Sequence, residues 1–169
     1  MTLFFFGGDN YLSNWYVTEV KLTFDDTDYV FQNVEQAMMA GKAKLFEDAE
    51  SFQKILRTPN PKSVKALGRK VKNFNPEVWD KYKKFIVKQA VWSKFLYNSD
   101  IREKLLATGE AYIAEDSKYD KIWGIGPCTL KQKENKTWSG QNLLGEILME
   151  VRFDLRNLIQ EQNELDKTK

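Results

Sequence analysis

Glu35 and Lys42 are the side chains of this sequence best placed to do chemistry. The 169 residues include no histidine and one cysteine, so acid–base work falls to carboxylates and lysines. Phe31-Gln32-Asn33-Val34-Glu35-Gln36, followed by Lys42-Ala43, sets Glu35, Met38, Met39 and Lys42 at i, i+3, i+4 and i+7, on one face of a helix. A carboxylate in the first turn is held ionised by the helix dipole and pushed toward its neutral form by burial. Lys42 follows two turns on, about 10 Å at ~1.5 Å per residue, too far for a simple ion pair. The face is either a functional pairing or a solvated polar edge with the methionines turned inward. A second segment runs Asp120-Lys121-Ile122-Trp123-Gly124-Ile125-Gly126 and continues at Gly140-Gln141-Asn142-Leu143-Leu144-Gly145. Glycines there let backbone N–H groups approach a phosphate or ribose, or simply form a tight loop with Trp123 as a core plug.

Composition narrows the chemistry further. Cys128 has no partner for an internal disulfide, and one thiol without histidine makes no common zinc or copper site. No ligand spacing for an oxygen-only metal site stands out, so no metal and no cofactor is expected. Gly124-x-Gly126 lacks the third glycine of a dinucleotide fingerprint, and there is no Walker sequence or Gly-x-Ser-x-Gly elbow. With 42% hydrophobic and 14% aromatic residues the chain supports a packed core despite 30% charged positions. A net charge of +2 does not by itself imply a polyanionic partner, although Lys121, Lys131, Lys133 and Lys136 make one stretch locally basic. No basic leader and no run of 18 apolar residues is present, so a cytoplasmic protein without membrane association is expected.

The elements that must position these residues are mainly helical. Phe4 to Phe6, Val17 to Phe24 and Tyr29 to Phe31 read as short strands, the last two forming a hairpin across Asp25-Asp26-Thr27-Asp28. Asn33 is a good N-cap for the helix carrying Glu35, with Gln36 three residues on. Asn60-Pro61 and Asn75-Pro76 open two further helices, the second running to about Asn98. Its apolar stripe reads Val78, Tyr82, Phe85, Ile86, Gln89, Ser93 and Leu96, with Lys81, Lys83, Lys84, Lys88 and Lys94 on the remaining faces. Polar Gln89 and Ser93 inside that stripe suggest a pocket wall, and Trp92 on its flank either stacks on a flat ring or seals the core. A short helix from Ser99 to Thr108-Gly109, an extended Tyr112 to Glu115, a loop with a lysine-rich tip at Lys131 to Lys136, and a final core helix with Leu144, Ile147, Leu148, Val151, Leu155 and Leu158 follow. We expect a mainly α fold with a few short β-strands, one domain over residues 1–159, and a polar tail over residues 160–169 that frays.

Seven ordered pieces together resemble the YbiA/NADAR family. They are Phe6-Gly7 with Leu12-Ser13-Asn14-Trp15, Val34-Glu35-Gln36 with Lys42-Ala43, Gly68-Arg69-Lys70-Val71, Lys94-Phe95, Leu106-Ala107-Thr108-Gly109, Asp120 with Trp123-Gly124-Ile125-Gly126, and Gly140 to Arg152. The resemblance implies a compact YbiA-like fold and an N-glycosidase that hydrolyses the bond between a ribosyl phosphate or ADP-ribosyl unit and a nitrogen base. Two substrate groups come with it: ADP-ribose attached to guanine of nucleic acid, toward which the lysine-rich segment and long basic helix tilt the reading, and phosphoribosylaminopyrimidine intermediates of riboflavin synthesis. A non-catalytic module that binds ADP-ribose or NAD is the alternative outside enzymology.

Cleaving a C1′–N bond requires a carboxylate near C1′ and a proton supply at the leaving nitrogen. Glu35 is expected to stabilise C1′ or activate water. Asp120 is expected to position water or hold ribose hydroxyls, and Lys42 to grip a phosphate or attack an opened ribose as a Schiff-base nucleophile. Trp92 and Trp123 would form stacking walls, Asn14 and Asn142 would supply fixed hydrogen bonds, and Gly8, Gly124 and Gly126 would make room for the substrate.

Overall fold

The computed structural model describes residues 1–168. In chain order the elements are β1 (Thr2–Phe5), β2 (Val20–Phe24), β3 (Thr27–Phe31), α1 (Val34–Leu45), α2 (Ala49–Leu56), α3 (Pro61–Gly68), α4 (Pro76–Tyr97), α5 (Ser99–Ala107), β4 (Tyr112–Glu115), α6 (Leu130–Asn135) and α7 (Leu143–Lys167). This is the expected class, mostly helical with a few short strands. Two compact units divide the chain, Gly7–Ser99 and Met1–Phe6 with Asp100–Lys169. Among the described residues no helix is long and apolar enough to cross a membrane.

In the unit Gly7–Ser99, β2 and β3 pair antiparallel from Val20↔Phe31 to Phe24↔Thr27. Asp25 and Asp26 both take positive φ, 49° and 58°, so the hairpin closes on two residues and β3 starts at Thr27, shortening the four-residue turn expected. Side-chain caps start four of the helices here: Asn33, Asp48, Asn60 and Asn75 each accept from backbone N–H groups of the first turn. α2 is a helix beyond those the sequence pattern predicts. Asp48 caps it onto Ser51, and Phe52 and Ile55 bury one narrow edge.

α4 has the expected ends but a different inner face. Its buried residues are Lys83, Val87, Ala90, Val91, Ser93, Lys94 and Phe95, while Tyr82 and Phe85 are 41% and 62% exposed. A hydrophobicity pattern misplaces this stripe because two lysines stand inside it and two aromatics outside. The outer residues still shape a recess: Phe85, Ile86, Gln89, Trp92, Ser93 and Leu96 line an open groove of about 470 Å³ against β2.

In the other unit, β1 and β4 pair parallel from Thr2↔Tyr112 to Phe5↔Glu115, and α7 packs on β4. Arg152 donates to Thr108 Oγ1 and the Ala111 carbonyl at 2.7 and 2.9 Å, holding the turn between α5 and β4. The lysine-rich tip is a short helix, α6, rather than a loop: Thr129 and Gln132 form a reciprocal capping box, and Lys136 ends it in the left-handed region. α7 stays helical through the 160–167 stretch expected to fray, and its outer Leu158 is 41% exposed rather than core. The last residue of the expected tail, position 169, lies outside the described residues.

Candidate active site

Asn33 begins α1 in extended backbone, and its Oδ1 accepts from the Gln36 N–H at 2.9 Å. Gln36 returns the bond one residue earlier than a standard capping box, accepting from the Gln32 N–H at 2.9 Å. Its Nε2 donates to the carbonyls of Ile55, Leu56 and Thr58, which ties the start of α1 to the end of α2. The helix so anchored buries every residue from Val34 to Gly41.

Glu35 is therefore no solvated edge; it is 3% exposed, in the first turn of α1. Its N–H donates to the Asn14 carbonyl at 3.0 Å, and its Oε2 accepts from the Trp15 indole N–H at 3.3 Å. The segment Leu12 to Trp15 thus forms a strap across the Glu35 end of the helix, folded on itself by Asn10 Oδ1 accepting from Leu12 N–H and Ser13 Oγ from Trp15 N–H. Asn14 is 7% exposed, and among the described residues no donor reaches its Oδ1. Gly8 lies against the same strap: a Cβ there would sit 3.5 Å from Trp15 Cβ. The role of Trp15 was not legible, because its bond to Glu35 spans 20 residues and no local pattern announces it.

Lys42 is half-buried. Its ammonium donates to the Gly68 carbonyl at 2.8 Å and stands 4.2 Å from the Phe74 ring and 5.4 Å from the Trp79 ring. Burial pulls its pKa below the usual lysine value. Trp92, expected as a stacking wall, lines the β2–α4 groove, a recess that neither Glu35 nor Lys42 lines.

The remaining expected residues belong to the unit containing β4 and α7. Asp120 organises its own loop: Oδ1 accepts from the N–H groups of Ile122 and Trp123 at 2.9 and 2.8 Å, and its carbonyl accepts from Gly126 at 3.1 Å. Trp123 is half-buried behind that turn. Gly124 is required by protein packing, since a Cβ would meet the Glu115 carbonyl and Ser117 Cβ, both at 2.9 Å; Gly126 takes φ +70°. Asn142, expected to contact substrate, is fully buried and serves β4 instead. Its Nδ2 donates to the Ile113 carbonyl at 2.9 Å and its Oδ1 accepts from the Glu115 N–H at 3.0 Å, like a neighbouring peptide group.

A family model described as NADAR domain matches residues 4–156. The chain belongs to the NADAR family. It is similar to N-glycosidase R617 of Acanthamoeba polyphaga mimivirus, 43% identical over 150 residues that cover 86% of this chain and 87% of that one. N-glycosidase Npun_R5314 of Nostoc punctiforme is 37% identical over 132 residues, covering 78% and 79%. The solved structure of the E. coli protein YbiA superimposes with a TM-score of 0.77 at 25% identity, over 95% of this chain and 88% of that one. This NADAR protein is an N-glycosidase of that family.

Proposed function

We propose that this NADAR protein removes ADP-ribose from guanine bases of nucleic acid by hydrolysing the C1′–N bond, with Glu35 as its central acid–base residue. The observation that carries this reading is the buried pair at the Leu12–Trp15 strap: the Glu35 carboxylate, oriented by the Trp15 indole N–H, and the Asn14 side-chain Oδ1, which has no donor among the described residues. A buried amide oxygen without a donor is unfavourable by roughly 1–3 kcal/mol, and a ribose hydroxyl supplies the missing proton donor. In the step proposed, water oxygen bonds to C1′ while the C1′–N electron pair leaves with the base. The water proton passes to the Glu35 carboxylate, and a proton delivered from solvent neutralises the leaving nitrogen. Positive charge that develops on the ribose is stabilised by the same carboxylate.

Support for a polynucleotide comes from exposed Lys131 and Lys136 at α6 and exposed Lys121 in the preceding loop, where phosphates would be neutralised. A second role for Lys42 is favoured by its lowered pKa, which raises the fraction of neutral amine able to add to the aldehyde carbon of an opened ribose. Loss of water from that adduct gives an imine, which borohydride reduces to a stable amine. Trapping during turnover is then expected to add an ADP-ribosyl mass at Lys42 and none in Lys42→Arg; no added mass in the native protein assigns Lys42 to phosphate gripping alone.

The deciding experiment supplies the purified protein in parallel with a guanine-ADP-ribosylated oligonucleotide and a phosphoribosylaminopyrimidine, with chromatographic detection of products. Release of ADP-ribose from the oligonucleotide alone is expected. Release from the pyrimidine alone transfers the activity to a small metabolite, and tight binding of ADP-ribose without release from either makes the protein a binding module.

A further inference from the structure

Lys94 is among the largest fully buried side chains of the protein, 1% exposed at the inner face of α4. A buried ammonium is unfavourable unless it is paired, and replacing such a group by an apolar side chain of similar volume is often neutral or stabilising. Among the described residues no carboxylate pairs with Lys94 to offset its burial. Among the described residues its amine meets one acceptor, the Ser13 carbonyl at 2.8 Å, with the rings of Tyr16 and Phe95 at 5.4 and 5.2 Å. Burial draws its pKa down to about 7. Stability alone does not account for a lysine at this position, so its value lies in what it holds.

What it holds is the strap. Ser13 is followed by the residue whose carbonyl receives the Glu35 N–H and then by the indole that donates to Glu35 Oε2, while Ser13 Oγ fixes the Trp15 N–H at 3.1 Å. Moving the Ser13 carbonyl by a fraction of an ångström moves both bonds to Glu35, since one peptide and one side chain separate them. We infer that Lys94 is a positioning residue for Glu35, acting through Ser13 to set where Asn14 and Trp15 hold the carboxylate. The inference rests on the reading of Glu35 as the acid–base residue. A positioning role of this kind acts on turnover more than on substrate capture, because misplacement of a reacting group raises the barrier without removing binding contacts.

The test compares native protein with Lys94→Met, which keeps bulk and removes the donor, and Lys94→Gln, whose amide can still donate to Ser13. The Trp15 indole N–H is followed by two-dimensional NMR, assigned through Trp15→Phe, beside kcat and KM for base release. Lys94→Met is expected to melt no lower than native protein, to shift the Trp15 indole peak, and to lose about tenfold or more in kcat with KM within about twofold. Lys94→Gln is expected to restore the indole peak and part of kcat. A folded Lys94→Met with an unmoved indole peak, or with kcat within about twofold of native, overturns the inference. Should Lys94→Met fail to fold, Lys94→Gln decides: near-native indole position and kcat support it, and loss of both despite a native melt overturns it. Native protein that releases no base sinks the reading of Glu35, and the indole shift then judges the strap independently.

Discussion

Glu35→Gln keeps an acceptor for the Trp15 indole and removes the negative charge, so it separates the geometry of the site from its chemistry. Turnover is expected to fall by at least about a hundredfold with the melting temperature little changed, and a folded variant with near-native turnover removes Glu35 from the reaction. Asp120 allows a similar separation. Asp120→Asn retains an oxygen for the Ile122 and Trp123 N–H groups, whereas Asp120→Ala abolishes that turn. Equal loss of activity in both variants means the carboxylate charge is needed; loss in Ala alone means only the turn matters, and comparing kcat of the two decides. At this scale the sequence was informative where residue types were scarce. Without histidine, a first-turn glutamate was an obvious candidate, but Trp15 and Lys94 act through contacts spanning 20 and 81 residues, beyond any local pattern.

Elements were legible where a short polar side chain announces a helix start. Asn33, Asn60 and Asn75 each precede their helix and cap it, and Asn75→Ala is expected to lower stability by about 1 kcal/mol in denaturant melts. The eight residues of α2 carry too few turns for a periodic signal, and the lysines in the buried stripe of α4 make its pattern point to the wrong face. Asn142 misled in the opposite direction. It sits at the start of α7 with φ 54° and makes no side-chain cap there; its amide completes the open edge of β4 instead. Asn142→Ala leaves the Glu115 N–H and Ile113 carbonyl without these partners, and is expected to cost about 3 kcal/mol, read from the denaturant midpoint. A loss below about 1 kcal/mol means water replaces the amide.

For the whole molecule, charge sets the behaviour that solution conditions reveal. A net charge of +2 leaves little general attraction for polyanions, so binding of an oligonucleotide must come from the local lysines. KM for the oligonucleotide is expected to rise steeply as salt increases, with KM for a small pyrimidine nearly flat; a flat response for both removes the polynucleotide reading. Lys94 gives stability a pH dependence of its own. Its folded pKa of about 7 lies below the ordinary 10.5, so between these values the unfolded chain binds a proton that the folded chain lacks. Folding therefore gains from this residue as pH rises from 7 toward 10.5, and the stability gap between native protein and Lys94→Met is expected to move in favour of the native chain across that window in parallel urea titrations.

α1 is only twelve residues long, below the length at which an isolated helix persists in water, yet α2, α3, α4 and both hairpin strands pack around it. Its backbone protons consequently have no shallow escape: exchanging them with deuterium requires dismantling the elements that enclose them. The residue proposed to break the glycosidic bond thus rides on a stretch expected to exchange its amide protons among the slowest of its unit, so that its aim at a sugar carbon is inherited from the core instead of being assembled anew when a substrate arrives.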